Sequence, residues 1–249
     1  MINKEYNAYL DIHCHYYDLS VDYLKHVFEK NQIIGLTACG GDGSYQKQRI
    51  LKNANITNLY FAYGIHPDEV LHKPITTLVN ELKEINFEDA IGIGEIGLDY
   101  KVTKDKILRE NQKIIFAKQL EIAEKLDLPV IIHTRYATKA TLDFLKDYSK
   151  LKVVLHWFSG NPNEIKEAFD RGYYLTQRFA SPRLENINER LCQIFIETDY
   201  PVYAGENPIE ITGIIDSYNA FCKEYNFKLD SIKERTIKNF EKVFNKIDI

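Results

Sequence analysis

The stretch Tyr9-Leu10-Asp11-Ile12-His13-Cys14-His15 begins as a β-rich apolar run and ends in two histidines. We predict a first strand over Tyr9–His13. Similar short runs recur and alternate with longer polar, periodic segments, which predicts seven further strands: Ile33–Thr37, Leu59–Tyr63, Ala90–Ile93, Val130–Ile132, Val153–Leu155, Tyr173–Thr176 and Ile194–Ile196. Because these runs are continuously apolar, they are typical of a parallel sheet covered by helices.

Helical periodicity fills most of the segments between the strands. One predicted face combines apolar residues at spacings of 7, 7 and 4, with Ile107 and Ile114 beside it: Leu108, Ile115, Ile122 and Leu126. A second predicted face lies near the C-terminus: Ile232, Thr236, Phe240, Val243 and Ile247. Ser231–Glu234 predicts a capping box at the start of this helix. The helical pattern is weakest between the seventh and eighth strands.

Eight strands that alternate with helices in 249 residues predict an α/β protein, a (β/α)8 TIM barrel. No linker, low-complexity segment or charge block marks a boundary, so we expect a single domain over residues 1–249, with closing helices after about residue 205. A doubly wound open sheet is the alternative, because the order of the strands cannot be read from the sequence.

The composition excludes several classes of protein. Hydrophobic residues make up 45% and charged residues 27%, which argues against wholesale disorder. The formal net charge of −4 argues against binding nucleic acid by bulk basic charge alone. The apolar runs are too short to cross a membrane, and the first residues lack a signal-peptide pattern. Four cysteines without a C-x-x-C pair favour reduced thiols, and we expect a cytoplasmic protein.

Five of the seven histidines lie at or just beyond predicted strand ends: His13, His15, His66, His133 and His156. Glu95 follows the fourth strand in the same way, and Asp199 follows the eighth. The active site of a (β/α)8 barrel lies at the C-terminal ends of its strands. Each position alone is also compatible with a structural role, such as a hydrogen-bonded core pair or a turn. The prediction of a site therefore depends on the set.

Imidazole and carboxylate groups together suit divalent ions such as Zn, Mn or Fe. His13 and His15 are two residues apart on an extended strand, so both are expected to project to one face. Asp11 is expected on that same face, where it could orient a ligating histidine. Glu95 could bridge two ions. Asp199 could bind an ion and accept a proton from the water that the ion activates.

The sequence resembles the TatD family of metal-dependent hydrolases, within the amidohydrolase-like barrels. The stretches that carry the resemblance occur in the family's order and span most of the chain: Asp11–His15, Gly64–Pro67, Gly94–Tyr100, His133–Arg135, His156–Gly160 and Glu197–Pro201. The resemblance implies a TIM barrel that hydrolyses phosphodiester bonds, usually as a deoxyribonuclease. DNA is therefore the expected substrate, and one or two divalent ions (Mg, Mn or Zn) are the expected cofactors.

The resemblance also implies a role for each matching residue. Six would bind metal: His13 and His15 the first ion, Glu95 both ions, His133 and His156 the second, and Asp199 the first. Asp199 would also handle the proton. His66 would contact the scissile phosphate, and Arg135 either a phosphate oxygen or an outward ion pair. Glu197 matches the acidic residue before the last ligand and is expected on the substrate side.

The chain departs from the family pattern at three places: Gln177-Arg178, where small polar residues are commoner, Tyr200–Tyr203, and Gly205–Pro208. These departures surround the expected substrate side and leave the metal ligands intact, so hydrolysis is better supported than DNA as the substrate. Metal-dependent hydrolysis of another substrate, such as a small phosphodiester, an amide or a lactone, is one alternative. A non-catalytic binding protein on the same barrel is another. The sequence leaves the oligomeric state open and is compatible with a monomer.

Overall fold

Eight parallel strands form one sheet in the computed structural model, which describes residues 7–178, 183–201, 203–204, 207–208 and 210–244. The strands pair in sequence order, each with the next along the chain. Their bounds are β1 Tyr9–Cys14, β2 Ile33–Ala38, β3 Leu59–Tyr63, β4 Gly92–Asp99, β5 Val130–Arg135, β6 Val153–Leu155, β7 Tyr174–Gln177 and β8 Ile194–Ile196.

Helices connect the strands as the sequence predicts. The α-helices in the described part of the chain are α1 Val21–Asn31, α2 Ser44–Asn53, α3 Ile75–Glu84, α4 Lys106–Leu126, α5 Thr138–Phe144, α6 Pro162–Asp170, α7 Ile187–Arg190, α8 Gly213–Tyr225 and α9 Leu229–Val243. Short 3-10 turns occupy Tyr16–Asp18, Pro67–Leu71, Leu145–Tyr148 and Leu191–Gln193. Tyr203–Ala204 (β9) and Asn207–Pro208 (β10) form a small antiparallel ladder.

The chain closes the barrel just beyond β8. The backbone N–H of Asp199 donates to the carbonyl of His13 at 3.0 Å, and that of His15 donates to the carbonyl of Tyr200 at 2.8 Å. The last strand therefore continues alongside the first. Sequential strand order with this closure confirms the (β/α)8 barrel and excludes the open sheet.

A layer of buried side chains fills the barrel interior. It takes residues from strands all around the sheet, including Leu10, Ile12 and Phe195. Phe240 and Phe244, in and just beyond α9, pack into this layer. The Phe244 ring lies against Gly92, the first residue of β4, and the Phe240 ring lies 5.5 Å from that of Tyr60, the second residue of β3, so α9 covers the N-terminal end of the barrel. The opposite, C-terminal end is left for the polar side chains.

Several predicted boundaries are wrong. β4 runs to Asp99 and β5 to Arg135, so Glu95 and His133 lie within strands and not after them. α9 begins at Leu229, and no side chain caps it, so the predicted capping box at Ser231–Glu234 does not form.

Other helical predictions also need correction. Leu126, which is predicted on the buried face of α4, is exposed, as are Ile107 and Ile114, which are predicted beside that face. In the described part of the β7–β8 connection, the only α-helix is the single turn of α7. Ile247 lies outside the described residues. None of the described helices is both long and apolar enough to cross a membrane.

Candidate metal centre

The C-terminal end of the barrel gathers seven side chains into one cluster: His13, His15, His66, Glu95, His133, His156 and Asp199. They come from β1 and the residue after it, the turn after β3, strands β4 and β5, and the residues beyond β6 and β8. His13 is fully buried, and Glu95 is 2% exposed. All seven residues that the sequence predicts near the metals therefore lie together.

One oxygen of Glu95 faces a first group of ligands. Its Oε2 lies 3.4 Å from the Nε2 atoms of both His13 and His15. Asp199 Oδ1 lies 3.5 Å and 3.6 Å from the same two nitrogens. Two imidazoles and two carboxylates thus converge on one point.

The other oxygen of Glu95 faces a second group. Its Oε1 lies 2.6 Å from His133 Nδ1, 3.4 Å from His156 Nε2 and 3.8 Å from His66 Nε2. The two oxygens of one carboxylate therefore serve two sets of histidines. This is the geometry of a carboxylate that bridges two ions.

The spacing of these atoms fits a divalent ion better than a hydrogen-bond network. Most of the N···O separations exceed the 2.7–3.2 Å typical of N–H···O bonds. Ligands about 2.1 Å from a tetrahedral ion lie roughly 3.4 Å from one another. Both ring nitrogens of the buried His13 lack a hydrogen-bond partner among the described residues. The donor set thus fits one or two divalent ions.

Four of the histidines contact a protein oxygen through the ring nitrogen that faces away from the centre of the cluster. His15 Nδ1 lies 3.0 Å from the carbonyl oxygen of Ala38, and His66 Nδ1 lies against the carboxylate of Asp68. His133 Nε2 lies 3.0 Å from Asp99 Oδ2, and His156 Nδ1 lies 3.2 Å from Glu197 Oε2. In His15, His133 and His156, an outward N–H that donates to such an acceptor fixes the tautomer and leaves the inner nitrogen as the metal ligand.

The ion-free cluster holds protons where cations would bind. Burial lowers the pKa of His15, but the nearby carboxylates of Asp199 and Glu95 outweigh it and raise the pKa to about 9. Burial acts likewise on His133, and the Glu95 charge and the Asp99 hydrogen bond raise its pKa to about 9. Burial raises the pKa of the Glu95 carboxyl, but the surrounding imidazole charges hold it well below its usual range. The site therefore favours positive charge.

Arg135 and Glu197 lie outside the ligand cluster. The Nε of Arg135, which is 47% exposed, lies 2.9 Å from Asp99 Oδ2, so the ion-pair reading of this residue holds in the structure. Glu197 is fully buried, and its two oxygens accept hydrogen bonds from the His156 ring and the backbone N–H of Trp157. Its place is behind His156, whereas the resemblance implies the substrate side.

Asp11 does not orient a histidine. Its carboxylate accepts hydrogen bonds from the hydroxyl of Tyr16 at 2.6 Å and from the hydroxyl and backbone N–H of Thr198 at 2.6 Å and 2.9 Å. The pairing of β1 with β2 shifts register between Asp11 and Cys14, which breaks the alternation of side chains. The carboxylate of Asp11 therefore bonds the segments around the barrel closure, and the described residues show no hydrogen bond from it to a histidine.

The sequence reasoning gave no role to Asp68 and Asp99. Each is an acidic residue close to a ligand along the chain, Asp68 two residues after His66 and Asp99 four residues after Glu95. That spacing is a weak signal, because acidic residues are common in the turns of any barrel. Among the departures from the family pattern, Val202, Gly205 and Glu206 lie outside the described residues.

This fold and this donor set fit a metal-dependent hydrolase built on a (β/α)8 barrel. The profile of the family "TatD related DNase" matches residues 10–245. An uncharacterized metal-dependent hydrolase of Buchnera aphidicola is 27% identical over 95% of this chain and 98% of its own. The human protein named deoxyribonuclease TATDN3 is 26% identical over 96% of this chain and 95% of its own.

The crystal structure of the TatD homologue YjjV from Escherichia coli superposes with a TM-score of 0.79 at 22% identity, covering 96% of this chain and 98% of that one. The agreement extends along almost the whole barrel. The chain belongs to the TatD family of metal-dependent hydrolases.

Proposed function

We propose that this hydrolase cleaves phosphodiester bonds, with DNA as the substrate, and that it uses one or two divalent ions (Mg, Mn or Zn). The position of Glu95 carries the proposal, because its two oxygens face two separate groups of histidines. A pair of sites that share a carboxylate suits an in-line displacement at phosphorus. Relatives named deoxyribonuclease, such as the human and zebrafish proteins, support DNA as the substrate.

His13, His15, Glu95 and Asp199 would hold the first ion, and Glu95, His133 and His156 the second. Bound ions supply Lewis acidity that polarises the phosphoryl oxygen and makes a coordinated water more acidic. We assign to Asp199 the acceptance of the proton from the attacking water.

His66 and Arg135 complete the proposed arrangement. The His66 side chain is 10% exposed and borders the second group, so it can donate to a phosphate oxygen. Arg135, held by Asp99 at the rim, adds positive charge on the same side. Both would stabilise the negative charge that develops on the phosphoryl group.

A small, non-DNA phosphodiester is the second candidate substrate. The formal charge of −4 favours it, because the ion-free chain offers a nucleic acid little attraction. Two divalent ions would offset this charge and concentrate the positive charge at the barrel mouth. Amide or lactone hydrolysis is less well supported, because Glu95 lies where a carboxylated lysine would bridge in that class.

The test uses metal-free protein with Mg²⁺, Mn²⁺ or Zn²⁺ and two substrates, end-labelled single-stranded DNA and an aryl phosphodiester. We expect metal-dependent cleavage of both, loss of activity with a chelator, and loss in His133→Ala. His26→Ala, which alters an exposed histidine on α1, is the matched control and should retain activity. Cleavage of the aryl diester alone would reject DNA, and no cleavage of either would reject the proposed function.

Three broader properties stay predictions. They are the single domain over residues 1–249, the cytoplasmic location and an oligomeric state that is compatible with a monomer. The four cysteines are free thiols, with Cys14 and Cys39 buried, which agrees with a reducing compartment.

A further inference from the structure

Trp157 adopts an uncommon backbone conformation directly after the ligand His156. Its φ of 40° lies in the left-handed region, which bulky residues rarely occupy. Two hydrogen bonds hold it there, from its backbone N–H to Thr176 Oγ1 at 2.8 Å and to Glu197 Oε1 at 3.0 Å. Strain that the surroundings impose in this way is a sign of a functional position.

The guanidinium of Arg178 stacks on the indole ring of Trp157. The Arg178 Cζ lies 3.5 Å from the ring centroid, closer than in the other cation–aromatic pairs of the described residues. Arg178 follows β7 directly, and Trp157 follows β6 by two residues. The pair therefore lies on the β6–β7 side of the C-terminal end of the barrel.

This pair is coupled to the metal centre. Glu197 accepts hydrogen bonds from both His156 and the Trp157 backbone, and the His156 and Trp157 rings lie 6.4 Å apart. Burial lowers the pKa of Arg178, and the charges of Asp199 and Glu197 oppose that shift. Trp157 is 39% exposed, so the pair also reaches the surface.

We propose that Arg178 binds a phosphate oxygen of the substrate on the β6–β7 side of the metal centre, and that Trp157 holds its guanidinium in position. The inference rests on the proposed phosphodiesterase function. A guanidinium is planar and matches two phosphate oxygens, and stacking on an indole fixes the plane in which its N–H groups donate. Small polar residues, which the family more often has here, could not make this contact.

The first test measures binding and needs no turnover. Trp157 is the single tryptophan of the chain, so tryptophan fluorescence reports on this position alone. Titration of the metal-loaded protein with dimethyl phosphate should change the emission. In Arg178→Gln the apparent affinity should fall at least about tenfold, because a charge-assisted hydrogen bond is lost.

Arg190→Gln is the matched control for this titration. Arg190 also stacks on an aromatic ring, Phe169, and pairs with Asp170, but on α7, which leads into the N-terminal end of β8. It should bind dimethyl phosphate like the unmodified protein. Equal affinity in Arg178→Gln and Arg190→Gln would overturn the proposal.

The second test compares an anionic aryl phosphodiester with a neutral aryl phosphotriester. Arg178→Gln should raise KM for the diester about tenfold or more and change kcat less, with no change in KM for the triester. Trp157→Phe keeps an aromatic ring under the guanidinium and should change KM for the diester little. Trp157→Ala should raise that KM as Arg178→Gln does. Unaltered KM in Arg178→Gln would reject the role of Arg178 alone, whereas inactivity of the unmodified protein would reject the proposed function.

Discussion

At the scale of single residues, the atom behind each imidazole sets how strongly that imidazole binds a metal ion. His15 rests on a backbone carbonyl, whereas His133 and His156 rest on the carboxylates of Asp99 and Glu197. A carboxylate behind an imidazole raises the basicity of the inner nitrogen and so strengthens its bond to a cation. The second group of ligands should therefore be more sensitive to outer-shell substitutions than the first.

Asp99→Asn tests this for His133. Asp99 Oδ1 accepts a hydrogen bond from the backbone N–H of Lys101 at 2.9 Å. Asparagine keeps an oxygen that can accept this bond but loses the negative charge. We expect affinity for the second ion to fall roughly 10–100-fold, as for other outer-shell substitutions. Titration against a competing chelator measures it. Arg135→Gln removes the separate ion pair between Arg135 and Asp99 and leaves the contact of Asp99 with His133 in place. An equal loss of affinity in this variant would contradict the assignment.

Glu95→Gln tests the bridge. The glutamine side chain has one oxygen and no charge, so it can offer an oxygen ligand to only one of the two groups of histidines. We expect the protein to retain at most one ion and to lose more activity than the roughly 10–100-fold of an outer-shell change. Elemental analysis and the aryl diester assay measure the two effects. Glu110→Gln, at an exposed position on α4, should bind metal normally, and full metal content in Glu95→Gln would reject the bridge.

At the scale of elements, the sequence predicts the number of barrel strands and their places along the chain, but not where β4 and β5 end. The predicted apolar runs stop before the polar residues Glu95 and His133, although β4 and β5 continue beyond these residues. The structure places them within strands because the C-terminal end of a barrel can bury polar groups that a metal or a hydrogen bond satisfies. Side-chain pairing, such as Asp99 behind His133, depends on the register between strands, which one sequence does not contain.

Asp11 joins the first element of the barrel to the last. It is fully buried on β1, and it accepts hydrogen bonds from Tyr16 and Thr198, the latter just beyond β8 and next to Asp199. Asp199 itself has a left-handed φ of 56°. The carboxylate of Asp11 thus stabilises barrel closure and holds the backbone that presents a metal ligand.

Tyr16→Phe tests this junction. Phenylalanine keeps the ring packed against Phe28 but removes the hydroxyl that donates to the buried Asp11. We expect a loss of about 1–3 kcal/mol in the free energy of unfolding, measured with urea, because a buried acceptor loses a donor. Tyr23→Phe, at an exposed tyrosine, should change stability far less. Equal losses in the two variants would show that Asp11 is satisfied in another way.

At the scale of the whole molecule, bound cations and protons compete for one buried site. The raised pKa values of His15 and His133, both about 9, mean that the metal-free folded protein binds protons more tightly than the unfolded chain. The corresponding stability is complete below pH 6.5, the ordinary histidine pKa, and is lost as pH rises through about 9. An ion must displace these protons, so its affinity rises over the same interval.

We therefore expect the rise in Tm on adding Mn²⁺ to grow between pH 6.5 and 9. An ion present at a hundred times its Kd adds about 2.7 kcal/mol, which corresponds to roughly 5–10 °C for a chain of this size. Calorimetric scans with and without the ion measure the difference. His133→Gln should make the rise in Tm on adding Mn²⁺ less dependent on pH, whereas His26→Ala should leave this pH dependence unchanged. A difference that stays constant as pH rises would show that protons and the ion bind independently, and the buried cluster could not then be the metal centre.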